Sequence, residues 1–481
     1  MTITDDRTRW LALYTLCAAS LMIVLDATIV NVALPSIRDD LHFNESSLAW
    51  VVNAYTLTFG GLLLLGGRLG DLYGPRRLFL FGIGLFTLAS LACGLSTSQG
   101  MLISARAVQG IGGAVASAVS LSLMLGLFTE PAERAKAMGL FGFVASGGGS
   151  IGVVLGGVLT DAINWHWIFL VNLPIGVAVV FLTFRLIPSG EGSAAHGKSL
   201  DVGGAITVTG ALMVAVYAIV NGNADGWTSG TTLVRFAVAI VLFVSFIVIE
   251  TRVKSPLMPL GLFRKRNLST ASVAGVLWAG AMFAWFFLSA LYLQLVLGYS
   301  PLQVGLGFLP GNLVMGVLSI GVSAKLVMRY GVRIPLAAGL VLAGIGLLLF
   351  ARAPVGGSYV VDVLPGMILL GFGAGIAFNP VLFAAMSEVK PEESGLASGI
   401  VNTAFMMGGA LGLAVLASVA ASRTSHLDGS TRPSPAALTS GYHVAFVVGA
   451  LFALAAAVIG GALLRTHAAP AHAPEPMLVE G

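Results

Sequence analysis

A chain of 481 residues in which 57% are hydrophobic and only 10% charged cannot clothe a soluble globule, whose composition is about a quarter charged. The net charge of +4 does not point to nucleic acid, because the Lys and Arg residues are dispersed over many short polar stretches and form no patch. The two cysteines, Cys17 and Cys93, lie in separate apolar segments, and the seven histidines are scattered without metal-ligand spacing, so no metal site is expected.

A membrane-crossing helix needs about 20 mostly apolar residues. Fourteen segments meet that length, over 11–37, 48–66, 78–97, 101–127, 136–160, 168–187, 200–222, 232–251, 267–295, 304–324, 335–352, 362–386, 395–421 and 441–465. No cleavage pattern follows the polar start Met1 to Arg9, so the first segment reads as a retained span. It carries Asp26, the only acid well inside a predicted span. Loss of water penalises the charged form of a carboxyl, which makes Asp26 a candidate reversible proton carrier. In the fourth span Arg106 and Gln109 are three apart and share a helix face, with the small residues Gly110, Gly113 and Ala114 below them. Counting at about 1.5 Å per residue sets Arg106 roughly 8 Å and Asp26 roughly 16 Å below the outer surface, in one leaflet, without requiring a direct contact. In the fifth, Gly148, Gly152, Gly156 and Gly157 offer a flat face for close helix packing.

Lys and Arg favour the cytoplasmic side of a membrane. With the N-terminus inside, fourteen spans place nineteen of the twenty-five on inner loops and tails, and the alternation holds to the end of the chain. Both termini are therefore expected in the cytoplasm. A repeat supports the count. G-R-L-G-D-L-Y-G at 67–74 has a degenerate partner, A-K-L-V-M-R-Y-G, at 324–331, and the glycines around 148–149 have partners around 408–409. The offsets of 257 and 260 residues exceed what six helices occupy, and the surplus matches one inserted helical pair. The expected organisation is a six-helix half over 11–187, an inserted pair over 200–251, a second six-helix half over 267–465 and a cytoplasmic tail over 466–481.

Several signatures, in order and in spacing, resemble the major facilitator superfamily, specifically its fourteen-span drug:proton antiporter branch. They are L-D-A-T-I-V-N-V-A-L-P (Leu25–Pro35) in span one and L-I-S-A-R-A-V-Q-G-I-G-G-A (Leu102–Ala114) in span four, then G-R-L-G-D-L-Y-G-P-R-R (Gly67–Arg77) between spans two and three. S-G-G-G-S-I-G-V-V-L-G-G (Ser146–Gly157) occupies the place of the antiporter motif, with Val153 where a proline is usual. W-H-W-I-F-L-V-N-L-P-I-G (Trp165–Gly176) resembles the branch's interface segment, with His166 in place of an arginine and its tryptophans read as membrane anchors. In S-G-L-A-S-G-I-V-N-T-A-F-M-M-G-G-A-L-G (Ser394–Gly412), Phe405 and Met406 stand where relatives often carry Arg-Gln.

The resemblance implies an all-α integral membrane protein with the major-facilitator fold, fourteen transmembrane helices and alternating access around a central cavity. It implies a proton-coupled secondary transporter in the plasma membrane that exports small amphipathic drugs or antibiotics. A metabolite, lipid or siderophore on the same fold is the alternative. The partners implied are the substrate, protons and the lipid bilayer, for a monomer that binds no nucleic acid, is no enzyme and needs no cofactor beyond the proton gradient. Asp26 and Arg106 would couple protons. Gly67, Asp71, Gly74, Arg76 and Arg77 would form a conformational latch at the inner face. Asn31, Asn53, Tyr55, Gln109, Asn402, Phe405 and Met406 are candidates for the cavity wall.

Overall fold

The structure is a computed structural model that describes residues 6–128, 130–188, 200–253, 255–389, 394–430 and 433–465. The 466–481 tail and the side chain of Asp71 lie outside the described residues. Lipid offers no partner to backbone N–H and C=O groups, so a spanning segment must satisfy them within itself. Among the described residues every regular element is accordingly helical.

The rods run in chain order as α1 (Asp6–Leu41), α2 (Trp50–Tyr73), α3 (Pro75–Gly94), α4 (Gln99–Leu127), α5 (Pro131–Ala162), α6 (Asn172–Leu186), α7 (Val202–Asp225) and α8 (Gly230–Arg252). They continue as α9 (Arg266–Leu291), α10 (Pro301–Val317), α11 (Arg333–Phe350), α12 (Leu364–Met386), α13 (Ser394–Leu427) and α14 (Pro435–Leu463). A π-turn over Leu318–Val322 extends α10 into Ser323–Tyr330. Among the described residues twelve helical stretches are long and apolar enough to cross a membrane, α6 being counted together with the turn before it as Trp167–Leu186, while Gly148–Ala162 in α5 and Pro301–Val317 (α10) are shorter apolar helices. Several rods overrun the hydrophobic segments read from the sequence: α1 begins at Asp6 and α5 at Pro131. Hydropathy marks the lipid-covered part, whereas backbone hydrogen bonding carries the helix on into the polar layer.

Serine caps start several rods. Ser98 accepts from the Met101 N–H, and Ser300 forms a reciprocal capping box with Gln303. The glycine-rich stretch after span two is less of a loop than its composition suggests. Gly67 through Tyr73 are helical, and the chain turns at the single residue Gly74, whose φ of 91° suits glycine. Pro75 then opens α3. Gly331, with φ 70°, makes the corresponding turn after α10.

Helix contacts come in equivalent sets. Within residues 6–186, α1 packs on α5, α2 on α4, and α3 on α4; within 266–463, α9 packs on α13, α10 on α12, and α11 on α12. Two seams join the sets, α2 against α13 and α5 against α10. The pair α7–α8 packs on itself, and α7 also lies against α2 and α13. At the end of the bundle remote from the chain termini the sets interlock. Gln294 Nε2 donates to the Val32 carbonyl at 2.8 Å, Ser300 Oγ donates to Asp161 Oδ2 at 3.3 Å, and a Cβ on Gly157 would lie 2.6 Å from the Pro301 carbonyl oxygen.

Candidate functional site: a buried ion-pair cluster

Asp26 is fully buried in the middle of α1. Its Oδ2 accepts from Arg106 Nη1 at 2.5 Å, and its Oδ1 accepts from Gln109 Nε2 at 2.7 Å and Asn172 Nδ2 at 2.9 Å. Arg106 is equally buried; its Nε donates to the Val51 carbonyl at 3.0 Å and its Nη1 also reaches Gln109 Oε1 at 2.6 Å. The guanidinium lies over the Tyr55 ring at 4.3 Å and near the Phe169 ring at 5.5 Å, a cation–π setting. Gln109 Nε2 donates further to Ser90 Oγ at 2.7 Å. Five helices, α1, α2, α3, α4 and α6, thus meet on one carboxylate–guanidinium pair.

Small residues bring these helices close enough. A Cβ on Gly110 would strike Thr58 and the Tyr55 carbonyl, and Thr58 Oγ1 donates across the same contact to the Ala107 carbonyl at 2.8 Å. Behind Asp26 the α5 glycines form the floor. Gly148 faces Leu21 and Val24, Gly152 faces Leu25 and Thr28, and Gly156 faces Ile29. Gly157 turns the other way, onto Pro301 and Leu302 of α10. An ion pair so buried adds little net stability. Deleting one partner is the expensive event, at about 3–5 kcal/mol, because it strands the other charge.

A family model described as the Major Facilitator Superfamily matches residues 16–413. The chain belongs to that superfamily. It is 38% identical over 474 residues to the puromycin resistance protein pur8 of Streptomyces alboniger, covering 96% of this chain and 93% of that protein. It is 40% identical over 452 residues to the cephamycin export protein CmcT of Amycolatopsis lactamdurans, covering 93% and 91%. Among solved structures, a bacterial homologue of the human lysosomal transporter Spinster superposes with a TM-score of 0.66 at 14% identity, covering 95% of this chain and 97% of that one. The protein is therefore a multi-pass membrane transporter with the major-facilitator fold.

In this facilitator the depth count left Asp26 and Arg106 apart, whereas the structure joins them directly. The long arginine arm spans the offset that helical rise alone leaves. Asn172 and Ser90 were not among the residues singled out from the sequence. Each is a polar side chain in an apolar stretch, which was the available signal, but neither carries charge. Trp165 is not a membrane anchor: it is buried, and its Nε1 donates to Asp40 Oδ2 at 2.9 Å, while Trp167 two residues on is exposed.

The wall candidates separate. Gln109 lies within the ion-pair cluster, with Tyr55 stacked above Arg106. Asn31 donates to the Thr28 carbonyl at 3.3 Å, and Asn53 is fully buried with no side-chain hydrogen bond among the described residues. Asn402 is exposed, Phe405 packs edge-on against Phe283 and Phe378, and Met406 lies against Gly60 at the α2–α13 seam. Of the latch residues, Arg76 donates to the Phe184 carbonyl at 3.0 Å, inside its own half, and Arg77 is exposed. No group of His, Cys, Asp and Glu suited to a metal occurs among the described residues.

Proposed function

We propose that this facilitator exports small amphipathic drugs or antibiotics in exchange for protons, from a cytoplasmic-membrane setting with both termini in the cytoplasm. Export is supported by relatives named for puromycin resistance and cephamycin export. Proton coupling rests on one observation: a fully buried carboxylate held by Arg106, Gln109 and Asn172, all from other helices.

Ionised, Asp26 fastens α1 to α4 and α6 through charge-assisted hydrogen bonds. A proton arriving on the carboxyl cancels the attraction of Arg106 and loosens α1 from those helices. α1 also contacts α9 and α10, so its release acts on the junction between the halves. Proton uptake and release thereby bias the alternation between states open to either side. The proton gradient is the energy source, the protein acts as a monomer, and it catalyses no chemical conversion. Phe283, Phe378, Phe405 and the flexible Met406 give the second half an apolar, adaptable wall suited to amphipathic molecules.

The reading is tested in two steps. Expression in a sensitive host should raise tolerance to a subset of a panel of chemically diverse toxic compounds. For those compounds, proteoliposomes should show substrate-induced proton movement. Tolerance without proton movement would leave an exporter driven by another gradient.

A further inference from the structure

A cavity of about 570 Å³ opens between α7, α13 and α14 and shares no lining residue with the Asp26 cluster. Its walls are Ile219 on α7, Val415 and Val419 on α13, and Val444 on α14. Ile219, Val415 and Val419 are only half-buried and Val444 is exposed, so apolar surface here is left open to whatever surrounds the helices. The cavity is built on a fixed polar step: Asn223 Nδ2 donates to the Ser418 carbonyl at 2.7 Å and to Ser418 Oγ at 3.1 Å, pinning α7 to α13. Trp227 closes the same corner by donating from Nε1 to Asn223 Oδ1 at 2.9 Å.

Arg423 and His426, both exposed and near the C-terminal end of α13, line the cavity and mark its mouth. Arg423 donates from Nε to Ser440 Oγ at 3.2 Å, which aims the guanidinium, and no carboxylate lies within ion-pair distance of it among the described residues. Arg235, near the same end, is by contrast already paired with Asp225. From Val415 at the floor to His426 at the mouth, eleven helical steps cover about 16 Å. Half of a hydrocarbon core of about 30 Å is about 15 Å, so the groove is as deep as one leaflet.

We propose that this groove binds a phospholipid of the leaflet remote from the chain termini, with its acyl chains along the valines and isoleucine and its anionic phosphate on Arg423 and His426. The depth match, the apolar walls and a forked cation held without an anion at the head-group end favour a lipid. A planar guanidinium suits phosphate oxygens in particular. The bound lipid would fill the cleft between the α7–α8 pair and the second half.

The test uses the full chain purified in neutral detergent and titrated with dioleoyl phosphatidylglycerol, with retained lipid read by native mass spectrometry. One retained lipid is expected, with about tenfold weaker retention in Arg423→Ala and partial recovery in Arg423→Lys. Val415→Trp, which fills the floor without touching the charges, should also lower retention. Inorganic phosphate should not compete, because it lacks the chains. Retention unchanged in both Arg423→Ala and Val415→Trp would overturn the proposal. So would equal retention of a neutral diacylglycerol, or a change of Val415→Trp from dimer to monomer, which would make a second copy of the chain the occupant.

Discussion

In the first half of the transporter, Gly148 and Gly152 of α5 lie against Val24 and Thr28 of α1; in the second, Gly408 and Gly412 of α13 lie against Val276 and Gly280 of α9. The step from α1 to α9 is therefore 252 residues (24 to 276, 28 to 280), and it carries Asp26 onto Trp278. A second pair of contacts fixes the neighbours. Gly82 on Gly112 and Ala116 is repeated by Gly339 on Gly373 and Ala377, which carries Ser90 onto Leu347, Arg106 onto Met367 and Gln109 onto Leu370. All four counterparts are buried and apolar. One scaffold thus holds an ion pair in one half and a plain hydrophobic core in the other. Glycine packing fixes the helix positions, and the side chains at the centre are free to differ, so the first half carries the buried charges and the second carries apolar residues at the equivalent positions.

The largest expected effect is loss of coupling. Asp26→Asn keeps the size and hydrogen-bonding capacity but cannot carry a proton, so substrate-driven proton movement in proteoliposomes should vanish while substrate–substrate exchange persists. Proton exchange at the wild-type rate in that variant would move the coupling site elsewhere and break the contrast between the halves.

Arg106→Ala should cost about 3–5 kcal/mol by stranding the buried carboxylate. Replacing both charges, as in Asp26→Leu with Arg106→Leu, should recover much of the thermal stability in detergent but no coupling, turning the first half into a copy of the second. If the double variant is no more stable than Arg106→Ala, the pair holds the fold together in a way its counterpart does not need.

Trp278→Phe tests the apolar side. It removes a large ring from a fully buried position, and should cost about 1–3 kcal/mol of stability while leaving the pH profile of exchange unchanged. A shifted profile would show that the second half takes part in proton chemistry.

The smallest effect compares two equivalent glycines. Gly152→Ala and Gly412→Ala each add a methyl where a helix already touches, Leu25 and Thr28 in one case and Gly280 in the other. Both should lower the melting temperature by a similar amount, corresponding to about 1–3 kcal/mol. Only Gly152→Ala displaces the helix bearing Asp26, so only it should alter the pH dependence of exchange.

Much of this is legible in the chain itself. Glycine spacing in spans five and thirteen marked the close contacts, and Asp26 and Arg106 were conspicuous as charges in apolar runs. The partners of that pair were less visible. Asn172 sits in a segment whose tryptophans drew the reading toward the membrane interface, and Ser90 is an ordinary small residue in a helix. Gly67 and Asp71 belong to a stretch whose composition suggests a loop, yet it stays helical to Tyr73 because one positive-φ glycine suffices to make the turn.

The sequence by itself determined the all-helical character, the order of the apolar segments and the place of the buried acid, because lipid imposes length and hydropathy on every segment separately. Only the tertiary structure decided that Asp26, Ser90, Arg106, Gln109 and Asn172 meet at one point, that Gly156 and Gly157 face different helices, and that α7 docks on α2 and α13. Those are matters of helix rotation and crossing. Within lipid, rotation is set by which small faces pack together, a property of pairs of helices that no single span carries.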